Sequence, residues 1–158
     1  MNVPSVLLWG FVATVVLTTV LSAARALGLS RMSIPYLLGT MFTADHDRAE
    51  FFGFLVHMTL GWLFALLYVA AFESWGFANV WLGAGIGVVH AFAVLLVAIT
   101  WLPAFHPRMA SERRGPELTR ALEPPGFLAL NYGRRTPVVT VLAHLLYGAI
   151  LGGFYRFA

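Results

Sequence analysis

Four stretches of this chain, 3–27, 51–72, 78–102 and 137–157, are almost continuously apolar, and none of them contains an aspartate or a glutamate. About 20 helical residues cross the hydrocarbon core of a bilayer, so each stretch is long enough to span it. Inside lipid the backbone must satisfy its own hydrogen bonds, which leaves helices or a closed barrel. A barrel needs segments of about ten residues with alternating polarity, separated by turns, and no such alternation runs through this sequence. The expected fold is all-α: a bundle of four transmembrane helices forming a single membrane domain over residues 1–158.

Composition points the same way. Hydrophobic residues make up 59% of the chain and charged residues 11%, and the mean hydropathy is +0.80. A soluble domain has roughly 25% charged residues, and this chain has too few to cover its apolar mass with a polar shell. There is no cysteine, which excludes disulfides, thiolate catalysis and iron–sulfur ligation. The first apolar run resembles a secretory signal, with Ser22-Ala23-Ala24-Arg25-Ala26 as a faint cleavage site. No positive charge precedes it, however, and it exceeds the 7–15 residues of a signal core. A retained first span is expected.

All ten basic residues are arginines. With four spans, segments 28–50 and 103–136 share one side. They hold Arg31, Arg48, Arg108, Arg113, Arg114, Arg120, Arg134 and Arg135, with Arg25 at their edge, against Arg156 alone on the other side. Cytoplasmic loops carry the arginine excess, so both termini are expected to be non-cytoplasmic. The arginines are expected to meet anionic headgroups at the inner face and not nucleic acid. Trp75, Trp81 and Trp101 stand at span ends, where interfacial anchors belong. Within the polar loop 103–136, residues 106–125 are expected to be solvated and the apolar 126–132 to lie at headgroup level. The apolar segment 34–38 in the first loop reads similarly.

Small residues recur every fourth position. Gly53, Gly61 and Ala65 flank His57 on one face of the second span; Gly83, Gly87 and Ala91 mark the third; Gly148 and Gly152 follow His144 in the fourth. Small residues allow close approach of helices in lipid, so these glycines are expected at helix contacts. Thr14, Thr18 and Ser22 form a hydroxyl stripe on the first span. The second and fourth spans both read His-x-x-x-Gly followed by Tyr at equal spacing (His57, Gly61, Tyr68; His144, Gly148, Tyr155), which suggests two tandem helical-hairpin repeats.

His57, His90 and His144 are the protonatable groups well inside the spans, and an ionisable group there is a functional candidate because keeping it in lipid is costly. One reading makes them polar links between helices, His57 to Thr18 or Ser22 and His144 to Thr100. A second makes His57 and His144 the axial ligands of a b-type haem within the bundle. A third gathers Asp45, His46, Asp47, Glu50 and His106 into a metal or proton site near the inner face, although no metal-binding signature is present. The absence of mid-span carboxylates weighs against an ion-driven pump. There is no GxSxG and no phosphate-binding glycine loop, so an enzyme is the less expected outcome.

Gly10-Phe11-Val12-Ala13-Thr14, Leu37-Leu38-Gly39, His57-x-x-x-Gly61 and the run from His144 to Gly152 together resemble a family of small bacterial four-helix integral membrane proteins of unknown function. The resemblance covers most of the chain except the long arginine-bearing loop. It implies a bacterial inner membrane and this fold, and it implies nothing about activity. The expected role is that of an accessory or assembly partner of a larger membrane complex, as a homo-oligomer or with other membrane subunits. The alternatives are a small homo-oligomeric transporter or channel and a haem-binding electron carrier.

Overall fold

The computed structural model describes residues 1–111 and 115–158. Arg113 and Arg114, counted with the loop arginines above, lie outside the described residues. The fold is an all-α bundle with four helices long and apolar enough to cross a membrane. In chain order the helices are α1 (Val3–Ala26), α2 (Ile34–Gly39), α3 (His46–Trp75), α4 (Val80–Ala93), α5 (Ile99–Phe105) and α6 (Thr136–Phe154). A π-helical turn, Val94–Ala98, joins α4 to α5 into one span, and a 3-10 segment, Phe127–Tyr132, precedes α6.

Local chemistry sets the helix ends. Asn2, Asp45 and Asn79 accept the backbone N–H three residues on, at 3.0, 2.9 and 2.9 Å, starting α1, α3 and α4. Ser33 caps α2 in the same way, satisfying donors that a helix start leaves unpaired. Gly76, at φ 73°, ends α3 in the left-handed conformation that glycine adopts without cost. The spans differ from their sequence boundaries mainly in α3, which starts at His46 and not at 51. Asp47 complements the dipole of its first turn.

Glycines decide which helices touch. A Cβ on Gly83 would run into the carbonyl of Gly148, one on Gly87 into that of His144, and one on Gly152 into that of Asn79. α4 and α6 therefore pack backbone to backbone. Gly61 makes room for Thr14 between α3 and α1. Gly39 and Gly53 let the short α2 lie flat on the first turns of α3, against the carbonyls of Ala49 and Pro35. α1 packs on both α3 and α6, whereas the backbones of α3 and α4 hardly meet beyond the turn that joins them. Residues matched in the suggested repeat take different partners: Gly61 faces Thr14 and Gly148 faces Gly83.

Two cores result. The larger runs the length of α1, from Val6 to Ala24, and includes Leu17, Val69, Phe72, Ala143, Tyr147 and Leu151. The smaller closes the arginine-rich end with Met32, Leu37, Leu95, Ile99, Met109, Ala129 and Tyr132. This second core corrects the reading of the long loop as solvated and then flat on the membrane. His106, Met109 and Pro125 are buried, and Ala129 and Tyr132 turn inward, because Leu95 and Ile99 offer apolar surface that the loop covers. Leu128 and Ala129 hold φ of 52° and 58°, a conformation that costs an L-residue roughly 1–2 kcal/mol. Around them, Asn131 donates through Nδ2 to the Pro124 carbonyl at 2.9 Å and Tyr132 donates through its hydroxyl to the Glu123 carbonyl.

Substituting Gly83 with alanine should lower the unfolding free energy in mild detergent by about 1–3 kcal/mol, the usual cost of overpacking. Gly85→Ala on the same helix, whose added Cβ meets nothing within 4 Å, should leave it unchanged. Equal effects from both would show that the α4–α6 contact does not limit stability.

Candidate functional site: a histidine-lined cavity inside the bundle

The three intramembrane histidines come from three helices, His57 from α3, His90 from α4 and His144 from α6, and all three line one cavity of about 170 Å³. Thr14, Phe64 and Tyr147 share its wall, and Leu37 of α2 lines it as well. Among the described residues no carboxylate and no arginine reaches it.

Each imidazole is oriented by a bond through Nδ1. His144 Nδ1 lies 2.8 Å from the Thr140 carbonyl of its own helix. A carbonyl only accepts, so Nδ1–H donates, and in the uncharged ring Nε2 carries the lone pair. His57 Nδ1 lies 3.1 Å from Thr18 Oγ1. The Thr18 hydroxyl already donates to the Thr14 carbonyl at 2.8 Å, so it accepts from His57, whose Nε2 is likewise a free acceptor. His90 Nδ1 lies 3.2 Å from the Tyr68 hydroxyl. Either partner of this pair can be the donor, since a phenol hydroxyl and an imidazole nitrogen each can donate or accept. Ring packing braces the set: His90 meets His144 edge to face with centroids 4.7 Å apart, and Phe64 lies 4.0 Å from His90. The Tyr147 hydroxyl donates to the Gly61 carbonyl at 2.6 Å and ties α6 to α3.

The sequence-derived candidates thus divide. His57 meets Thr18, while Ser22 is exposed and takes no part. His144 bonds Thr140 and not Thr100, whose hydroxyl reaches back to the Leu95 carbonyl at 3.5 Å. Gly61, Gly87 and Gly148 lie at the contacts beside the cavity, and Gly53, Gly83 and Gly152 lie farther along the same helix faces. Asp45, His46, Asp47, Glu50 and His106 do not assemble. Asp45 caps α3, His46 pairs with Asp47 at 3.3 Å, and Glu50 takes Arg25 at 3.3 Å and Ser33 at 3.3 Å. Among the described residues no three histidine, aspartate or glutamate side chains are placed to hold a metal ion. A haem ligated by His57 and His144 would have to open the bundle. The cavity is below the about 300 Å³ at which pockets for larger ligands begin, and the His90 ring is packed against His144.

Two contributors escaped the sequence. Tyr147, three residues after His144, carried no signal beyond its spacing. The π turn at Val94–Ala98, which supplies Val94, Leu95 and Ala98 to the wall, is an unmarked apolar run in the sequence. Such turns recur at functional sites.

α2 closes the cavity at the arginine-rich end and is clasped from below. His106 Nε2–H donates to the Leu37 carbonyl at 2.9 Å, with Thr40 Oγ1 at 3.3 Å, and Nδ1 accepts the Arg108 N–H at 3.1 Å. Arg108 Nη1 donates to the Thr40 carbonyl at 2.6 Å. Burial pushes the His106 pKa below its ordinary value of 6.5; the Leu37 bond opposes this and the Arg108 charge adds to it.

The chain matches no protein-family model, no curated protein and no solved structure, so the likeness to small bacterial four-helix proteins rests on its short motifs alone.

The clasp gives a pH prediction with a definite sign. The unfolded chain protonates His106 near pH 6.5 while the folded chain does so only at lower pH, so the unfolded state binds more protons between the two values. The stability due to neutral His106 is complete above about pH 6.5 and declines as pH falls from there toward the folded pKa. Unfolding midpoints measured from pH 8 to pH 5 should fall more steeply for the unmodified protein than for His106→Gln, which keeps a donor for Leu37 and does not titrate. Parallel curves would refute this role.

Proposed function

We propose that this is a multi-pass protein of a bacterial inner membrane, with both termini outside the cytoplasm, that binds a small and largely apolar molecule taken from the bilayer. The carrying observation is the direction in which the cavity opens. Its lining residues on α1 and α6 (Thr14, Leu17, Leu21, Thr140, His144, Tyr147) are all buried. On α3 and the α4–α5 span the wall is mixed: Gly61, Leu95 and Ile99 are buried, whereas His57, Leu60, Phe64, His90, Val94, Ala98 and Leu102 are partly or fully exposed. The opening therefore runs along the α3/α4–α5 seam, whose outer faces are lipid-facing in a bundle of this composition.

Catalysis and ion pumping are not supported by this chemistry. Among the described residues no carboxylate lies in the cavity wall to couple a proton or sodium ion. An accessory role within a larger membrane complex then consists of holding such a molecule for a neighbouring subunit. The orientation rests on the arginine distribution, nine on the loop side against one.

An empty apolar cavity of about 150 Å³ is enough to bind benzene, so benzene is a suitable neutral probe. Added to the protein in lipid nanodiscs, it should raise the unfolding temperature in a saturable way. It should do so less, or not at all, for Ala98→Trp, which places an indole in the seam. Identical responses from the two proteins would mean that benzene acts through the bilayer and would overturn the binding role.

A further inference from the structure

Resting on the binding role above, we infer that the molecule this cavity takes is a single-ring hydroxyl compound, of the phenol or hydroquinone class, recognised by donating its O–H to the Nε2 of His57 or His144.

The inference begins with three nitrogens. Nε2 of His57, His90 and His144 has no hydrogen-bond partner in the protein, yet the described residues include no buried side-chain nitrogen or oxygen that is both enclosed and unpaired. Each Nε2 therefore touches open space, and the space these rings line is the cavity. For two of them the role follows from the far side of the ring. Thr18 and the Thr140 carbonyl fix Nδ1–H on His57 and His144. The cavity thus presents two acceptors within apolar walls. An occupant that excludes other partners from these lone pairs must supply the donor itself, because a lone pair left unmatched in an apolar space is costly.

Elimination narrows the donor. Among the described residues no arginine lines the cavity to receive a carboxylate or phosphate, and an anion would face two lone pairs. No described carboxylate is there to receive an ammonium group. A neutral hydroxyl fits, since it donates to one of these lone pairs without bringing a charge into the apolar space. Water satisfies the same polar groups but needs only about 10–15 Å³, and it would leave most of the 170 Å³ apolar space unfilled. Size and walls select the remainder. The volume is slightly above what benzene needs, and the faces and edges of Phe64, His90, His144 and Tyr147 surround it. Aromatic pairs in offset or edge-to-face geometry add to simple area burial. A substituent on the ring has its exit along the α3/α4–α5 seam, beside Ala98.

The test compares phenol, anisole and benzene on the full chain in nanodiscs, with concentrations corrected for partition into lipid. Anisole keeps the ring and the oxygen but cannot donate. Phenol should bind at least tenfold more tightly than anisole. It should also shift the ¹⁵N resonances of the unprotonated His57 and His144 Nε2 atoms, which anisole and benzene should leave in place. Thr18→Val, which unfastens the His57 tautomer while keeping side-chain shape, and His57→Leu should each shrink the phenol advantage and leave benzene binding intact. If benzene binds and phenol has no advantage over anisole, the hydroxyl assignment is wrong while the binding role stands. If none of the three binds saturably, both are wrong. A phenol advantage unchanged in Thr18→Val, His57→Leu and His144→Leu alike would place the phenol elsewhere and overturn the inference.

Discussion

In hydrocarbon, one apolar helix gains nothing by leaving lipid for another, so helices meet where their surfaces allow close packing. Here that condition is met most strongly between α4 and α6, where Gly83, Gly87, Gly148 and Gly152 bring backbone against backbone. The rest of the arrangement follows from this contact. Gly87 sits against the carbonyl of His144, so the next turn of α4 carries His90 to the His144 ring. α6 in turn docks on α1, and α1 docks on α3. α3 is therefore placed by helices other than α4, although only a short turn separates the two in sequence. The seam left between them is the side on which the histidine-lined cavity meets exposed helix faces.

The ends of the bundle are treated differently. At the end with the termini, large side chains such as Phe72 and Leu151 are fully buried between the helices. At the arginine-rich end the helices leave room, and both loops fold back to close it. α2 lies on α3 through Gly39 and Gly53, and the segment around Ala129 and Tyr132 covers Leu95 and Ile99. Ser30 and Thr136 share a hydrogen bond at 2.8 Å, while Arg31 pairs with Glu123 at 3.2 Å and also donates to the Asn131 carbonyl. These contacts lock the two loops to each other. The cavity is thus floored by segments that polar contacts hold and walled by helices that glycines hold.

Much of this was legible in the residues. The four spans, the glycine contact faces and the His57–Thr18 pair follow from local rules: apolar length, spacing of four, and a hydroxyl one helix away. What was not legible depends on which helices become neighbours. Thr100 seemed a reasonable partner for His144, but an imidazole in a helix can also reach the carbonyl four residues back, and Thr140 was nearer than any neighbour. The buried loop segments misled for a related reason. Proline, glycine and arginine give 106–132 a solvated look, and only the unoccupied faces of Leu95 and Ile99 explain why its apolar residues fold inward. His106 looked like one of five possible metal ligands, whereas its position under α2 is set by the Leu37 carbonyl 69 residues away in sequence.

The π turn has a geometric consequence for the cavity wall. In an α-helix, residues four apart are displaced by about 40° around the axis at each step, since a turn takes 3.6 residues. A row of every-fourth side chains therefore spirals away from any fixed direction within a few turns. His90, Val94, Ala98 and Leu102 nevertheless all face the same opening. The wide turn at Val94–Ala98 takes more than four residues per revolution and winds the row back, much as an inserted residue resets phase in a coiled coil. The span thereby becomes a straight rail of four interchangeable rungs beside the seam. The width of the seam can then be changed at one rung without moving the others.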